Sequence, residues 1–304
     1  MTVLAAAAGI ALIALVIHDI FTVLFRSSGE GRLSSWLTRS LWALLRRAGT
    51  RRRVLALAGP LAVASVICAW AVLLVVGWAL IYLPHYPEAF VLVDDTAVHS
   101  PLVGAVSISL ETLTTLGAST AAPRAAWLQV VSPIEALIGF GLLTAAVAWL
   151  LQIYPVLSRR RALAYEIHLL ANTERRLGLR VPELDPVAVA QLYAELTSRL
   201  IAVERDLVKF PIAYYFAESD QRFALSAALP HLVELAERGA QPEDAPFLAL
   251  RASMLLEAIE DFAQTVSERF LSSPEHTTDQ ALQAFNHDHR HHAGAGPSAG
   301  PRVT

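Results

Sequence analysis

Cysteine occurs once, at Cys68, inside an apolar run. No internal disulfide can form and no thiolate metal site is available, so Cys68 reads as a small buried apolar residue. Lysine also occurs once, at Lys209, while arginine is abundant, a bias that fits a GC-rich bacterial genome. Charged residues make up only 17% of the 304 positions, against 55% hydrophobic, where a soluble domain averages about 25% charged. With a mean hydropathy of +0.46, this composition belongs to a membrane protein that carries a soluble part. The net charge of -3 decides little, because the charges are segregated along the chain. There is no phosphate-binding loop, dinucleotide fingerprint or zincin motif, and no nucleophile–base or metal constellation. The chain is therefore not expected to be an enzyme. No catalytic residue, resident metal or cofactor is expected.

What is present is a series of long apolar segments. Val3 to Phe25 is interrupted mainly by His18-Asp19. It exceeds the 20 or so residues that a span needs, and it lacks the basic start and the cleavage site of a signal peptide. Asp19 near its end is costly in lipid and should face protein or the interface. Arg26 to Arg53 holds eight arginines and a single acid, Glu30. Short arginine-rich loops stay in the cytoplasm. Within it Leu33, Trp36, Leu37, Leu41, Leu44 and Leu45 recur at helical spacing, which predicts an amphipathic helix on the inner leaflet. Tethered between spans, it is not read as a nucleic-acid patch. Val54 to Leu83 carries no charge and is the clearest span, with Trp78, Tyr82 and Tyr86 expected as interface anchors. Pro84 to Pro101 contains Glu88, Asp94 and Asp95 without Lys or Arg and is expected outside. Trp127 to Leu157 is a third span, closed by Ser158-Arg-Arg-Arg161 as a basic stop.

Between the second and third spans lies Ser107 to Ser119, too short to cross a bilayer. It ends in Thr114-Thr115-Leu116-Gly117, small hydroxyls running into a glycine. That order suits a half-membrane helix followed by backbone that bends and exposes its carbonyls. Such backbone persists at membrane depth only inside protein or along a water-filled path, and carbonyl rings that replace an ion's water shell form potassium filters. An ordinary extracellular turn with a threonine cluster is the alternative. From Arg159 to about Ser273, charged residues alternate with Leu, Ala and Val, with breakers at Gly178, Pro182, Pro186, Pro211, Pro230, Gly239, Pro242 and Pro246. This predicts about four or five cytoplasmic helices. Residues 274–304 read as a disordered, His-rich tail whose histidines are incidental rather than metal ligands.

Two spans flanking a short helix and a T-x-G strand resemble the pore module of tetrameric potassium channels. More closely, the chain resembles a bacterial potassium channel family with an extra leading helix. In that family the filter runs Thr-Leu-Gly-x-Gly-Asp, the next helix opens Glu-Ala-x-x-Gly-Phe-Gly, and it exits through Pro-Val-Leu into Ser-Arg-Arg. Thr115-Leu116-Gly117 match the filter start. Glu135, Ala136, Gly139, Phe140 and Gly141 match the helix opening, and Pro155 to Arg160 match the exit. The resemblance covers residues 10–165 or so. This sequence has Ala118, Ser119 and Thr120 where the family has x-Gly-Asp. A non-glycine residue held left-handed costs on the order of 1–2 kcal/mol, so the outer half of the filter should differ from a potassium filter.

The resulting expectation is an all-α membrane protein with three transmembrane helices per chain and a re-entrant pore helix and filter loop between the second and third. Its segments are a first span (1–25), a cytoplasmic interfacial segment (26–53), a pore module (54–157), a cytoplasmic helical domain (158–273) and the tail. The resemblance implies an ion-conducting filter at Thr114, Thr115, Leu116, Gly117, Ala118 and Ser119, with Glu111 and Thr112 on the pore helix. Glu135 would stand behind the filter, and Gly139 and Gly141 would serve as a gating hinge or as helix packing. The implied permeant is a monovalent cation, potassium by resemblance, and the implied assembly a homotetramer in the bacterial plasma membrane. The N-terminus would be external and the C-terminus cytoplasmic. A non-conducting scaffold or sensor, binding a cytoplasmic protein through the helical domain, is the second reading.

Overall fold

A computed structural model describes residues 2–25, 31–47, 58–92, 100–117, 121–240, 246–271 and 277–289. The chain divides into two compact units, Met1–Arg39 with Ala62–Gln152, and Ser40–Leu61 with Ile153–Thr304. Among the described residues, three helices are long and apolar enough to cross a membrane: Thr2–Phe25, Ala58–His85 and Ala126–Leu177.

In the first unit, α1 (Thr2–Phe25) leads through Gly31 into α2 (Arg32–Arg47). Asp19 is buried, and its carboxylate accepts from the backbone N–H groups of Leu33 and Ser34 at 3.1 and 3.3 Å. These are among the N–H groups that a helix start leaves without intrahelical partners. Asp19 therefore caps α2 from a different helix. It also accepts from the Trp70 indole N–H at 2.9 Å, and the Trp70 ring lies 5.6 Å from that of Trp149. The expectation that Asp19 faces protein holds, with three donors to satisfy it.

The second long helix, α3 (Ala58–Tyr82), is followed by β1 (Phe90–Leu92), α4 (Pro101–Leu113) and β2 (Ala121–Pro123). The two strands pair antiparallel, with Val91 opposite Ala122, and so tie together the chain on either side of α4. Trp78 and Tyr82, expected as outward anchors, are instead almost fully buried. The Tyr82 ring packs edge-on against Phe90, and its hydroxyl has an internal acceptor. Asp94 and Asp95 lie outside the described residues.

The next helix, α5 (Ala126–Leu177), runs 52 residues without interruption, a rise of about 78 Å. It passes through Gly139, Gly141, Pro155 and the basic stop, and ends at Gly178, whose φ is +67°. In the second unit its last turns join α6 (Pro186–Lys209), α7 (Leu225–Gly239), α8 (Pro246–Phe270) and α9 (Thr278–His289). Tyr193, Leu196 and Leu200 of α6 recur at helical spacing and are fully buried. Asp185 caps α6 by accepting from Ala188 N–H at 3.0 Å, with Pro186 at the first turn, where its missing donor is harmless. Pro230, expected as a breaker, sits inside α7. Its neighbours Leu229 and Leu232 are fully buried, so packing overrides the lost backbone bond.

The stop arginines gain partners that composition did not show: they are bound by the helical unit itself. Arg159 makes a two-pronged pair with Asp206 at 2.7 and 2.8 Å. Arg160 is buried and donates to the Ala213 and Phe216 carbonyls at 2.7 and 2.5 Å. Arg161 reaches Glu218 at 2.7 Å. A further correction concerns the predicted tail: residues 278–289 form a helix that buries Ala281, Leu282 and Phe285. The ring of His289 lies among Trp42, Tyr214 and Phe285. Its two nitrogens approach the Phe285 and Tyr214 carbonyls at 2.9 and 2.8 Å. Residues 290–304 lie outside the described residues.

Arg160→Met should destabilise the second unit by about 3–5 kcal/mol, because it strands buried acceptors. Arg159→Ala, at a half-exposed pair, should cost about 1 kcal/mol or less. Thermal unfolding of the full chain in detergent compares the two. Burial holds the His289 imidazole below its ordinary value, although the Tyr214 carbonyl opposes this. The unfolded chain then binds the proton more readily. Stability should be retained above pH 6.5 or so and be lost as the pH falls through that value, at up to about 1.4 kcal/mol per pH unit. His289→Asn should flatten that slope, and an unchanged slope refutes the assignment.

Candidate functional site

α4 has 13 residues, a rise of about 20 Å against a hydrocarbon core of about 30 Å. The Ser100 hydroxyl caps its start, and Pro101 occupies its first turn. At its other end the chain folds back in a Schellman turn. Leu116 N–H donates to the Glu111 carbonyl at 2.9 Å, and Thr115 N–H to the Thr112 carbonyl at 3.0 Å. That pair of bonds closes a helix around one left-handed residue, which is usually glycine. Here it is Thr115, with φ +58°. A β-branched residue in this region is an outlier and carries strain on the order of 1–2 kcal/mol. Gly117 follows with φ +94°, and a Cβ there would meet nothing within 4 Å. Left-handed conformations thus flank Leu116, which is 73% exposed. The Thr114 hydroxyl donates to the Leu110 carbonyl at 2.6 Å.

The expected strain at Ala118 and Ser119 lies outside the described residues, and the strained position that is described is Thr115. Glu111, Thr112, Thr115 and Gly117 line one side of a cleft of about 340 Å³, with Ser132 and Ala136 of α5 on the other.

Glu135 is completely buried. One carboxylate oxygen accepts from the Tyr82 hydroxyl at 2.5 Å, and the other from the Ser109 hydroxyl at 2.6 Å. Ser109 Oγ also lies 3.2 Å from the Val75 carbonyl oxygen. Glu135 thereby joins α3, α4 and α5 at one point. Its sequence motif drew attention to it, but Ser109 and Tyr82 went unrecognised as its partners. They stand 26 and 53 positions away, and the only hint was a small hydroxyl at Ser109 inside an apolar helix.

The two glycines separate. At Gly139 an added Cβ would strike the carbonyl oxygen of Leu113, the last residue of α4, whereas at Gly141 it would meet open space. Gly139 is therefore a close-packing position, and the helix is unbroken through both. Among the described residues, no group of three or more His, Cys, Asp or Glu is placed to hold a metal ion.

Over 155 residues the chain is 27% identical to a Bacillus subtilis (strain 168) protein described as the uncharacterized membrane protein YdjJ. The match takes in 50% of this chain and 44% of that protein, so it spans less than half of the relative's length. No family model matches, and no solved structure matches. The relative and the three apolar helices together place the chain among membrane proteins.

Gly139→Ala should destabilise the first unit, because α5 must move away from Leu113. Gly141→Ala should stabilise it by about 0.5–1 kcal/mol through helix propensity. Glu135→Gln should be tolerated, because its amide can accept from Tyr82 and donate to Ser109. Glu135→Leu should cost about 1–3 kcal/mol by orphaning the Tyr82 hydroxyl. Tryptophan fluorescence melts in detergent distinguish these outcomes, and equal effects at the two glycines would refute the packing assignment.

Proposed function

We propose that this chain is the subunit of a tetrameric cation channel whose pore loop runs from Glu111 to Ser119. The observation that carries the reading is a capped helix, too short to span, placed between two span-length helices and fastened to both through Glu135. Beyond it, left-handed backbone at Thr115 and Gly117 brackets an exposed leucine. One such loop per chain supplies a quarter of a carbonyl cage. A lone loop would leave backbone groups unsatisfied in lipid, and a fourfold ring meets that demand. In this reading α4 is re-entrant, Thr114 to Ser119 form the filter, and a monovalent cation, with potassium foremost, is the permeant. The Arg26–Arg53 loop and the helical unit lie in the cytoplasm by the distribution of arginine. The Thr2 end of α1 then lies outside, in a bacterial plasma membrane. A reporter at that end found in the cytoplasm would overturn this topology.

A second reading, a non-conducting scaffold or sensor, is favoured by one observation. The Thr115 turn is complete as a helix cap and needs no ion to explain it.

Reconstitution with ion flux separates the two. We expect a tetramer by native mass in nanodiscs and weak discrimination between potassium and sodium, because selectivity depends on the number and arrangement of carbonyl groups. Ser119→Gly should shift the reversal potential towards potassium, and Gly117→Ala should abolish current. A stable monomer or dimer, or a wild type that stays silent after Ser119→Gly, favours the scaffold. Strong potassium selectivity in the wild type sinks the argument from Ser119.

A further inference from the structure

The second unit carries a feature that conduction does not explain. Its helices α6 and α8 run parallel. The Thr265 hydroxyl reaches Glu204 at 2.7 Å and, one turn further, Arg269 reaches the Val208 carbonyl at 3.5 Å, with the same offset of 61 positions. The two helices therefore start at the same end, where Val187 of α6 and Phe247 and Leu250 of α8 lie within the first turns. All three are exposed, Phe247 at 55% and Leu250 at 56%. From that lip a groove of about 380 Å³ follows the helix pair. Ala194, Ser198 and Ile201 of α6 and Met254 of α8 line it, together with Arg205 and Arg251. The track from Ala194 to Arg205 is about 16 Å long, three turns of helix. Phe247, Leu250 and Met254 lie three, four and seven positions apart, the spacing of a seam that another helix covers.

Charge supplies the second argument. Several arginines of the unit are matched by acids, Arg159 with Asp206, Arg161 with Glu218, Arg199 with Glu166 and Arg238 with Glu234, whereas Arg175 reaches only Asn172 and the Ala171 carbonyl. Arg205 and Arg251 meet no carboxylate among the described residues. Arg251 lies instead over the Phe247 ring, 5.3 Å from its centroid, and beside the Met254 sulfur at 3.9 Å. On α6, Val187, Gln191, Ala194, Ser198, Arg205 and Lys209 form a stripe without an acidic residue, bordered by the exposed Glu195. An apolar floor with two guanidiniums that meet no carboxylate among the described residues calls for an occupant that is apolar on one side and anionic on its flank.

We propose that the α6–α8 groove is the docking site for an acidic amphipathic helix of a partner protein. Its apolar side covers Phe247, Leu250 and Met254, and its carboxylates pair with Arg205 and Arg251. The site stands whether or not the chain conducts, so its failure and that of the channel reading are separable.

The test uses the full-length chain in its native cells, with a photo-crosslinking residue at Ser198 and, separately, at Leu250. Both positions are exposed, so folding is preserved. Mass spectrometry should map the adduct to an acidic, amphipathic helical segment of another protein. Arg205→Glu with Arg251→Glu should reduce its yield about tenfold or more, because like charges would then face each other across the interface. Arg205→Lys with Arg251→Lys should retain most of it. An adduct with a second copy of this chain, an adduct with lipid, a yield unaffected by charge reversal, or no adduct at either position would each overturn the proposal. Ion flux and native mass of the same charge-reversed chain report separately on the channel.

Discussion

The Glu135 carboxylate governs the first unit. A carboxylate buried this fully is destabilising unless each oxygen has a donor, and here Tyr82 and Ser109 supply one each. Those two donors sit on different helices, so satisfying one side chain fixes three elements relative to one another. The close approach of Gly139 to the end of α4 follows from the same constraint: once Glu135 is tied to Ser109, the next turn of α5 must pass Leu113, and only a residue without a Cβ fits. Asp19 works by the same principle with backbone donors, fastening α2 to α1 and drawing in Trp70. Two acids placed in apolar helices thus provide the directional contacts that dispersion between apolar side chains lacks.

The three long helices were legible because hydropathy and length report directly on what a bilayer demands of a chain. α4 was legible as an element too short to span. The partners of Glu135 were not, because a hydrogen bond across 53 positions leaves no periodic trace. The family pattern points to strain at Ser119, which lies outside the described residues; the strain that is described falls at Thr115, where the geometry of a helix end demands a left-handed residue. Local helix capping is a nearer constraint than a distant resemblance. For residues 278–289 composition pointed the wrong way: the polar, His-rich run hides Ala281, Leu282 and Phe285, whose spacing marks a helical face. The arginines at 159–161 were read only as a topology signal, although two acids and two carbonyl groups of the helical unit hold them. One basic run can satisfy both requirements, and composition reports only the first.

Besides the buried Arg160, the second unit is organised by aromatic burial. Tyr214 gathers Phe270, Phe285 and His289 around one ring, with the Tyr214 and Phe270 rings stacked and their centroids 4.2 Å apart. This cluster is why α9 belongs to the folded unit. Aromatic side chains contribute both large buried area and preferred geometry, so a short helix can hold its place with few contacts. Against that well-filled interior the open groove along α6 and α8 stands out as apolar surface left uncovered.

The order in which the Glu135 network is synthesised also matters. Val75 and Tyr82 emerge from the ribosome first, Ser109 follows, and the carboxylate that both hydroxyls require comes last. During that interval α4 exists as a short helix without its principal partner, and the Tyr82 hydroxyl has no acceptor at its final depth. Assembly of the first unit is therefore a late event, set by the arrival of one acid rather than by the insertion of the spans. A nascent chain stalled before residue 135 should present quality-control proteases with an apolar hairpin whose connecting segment has not yet taken its place.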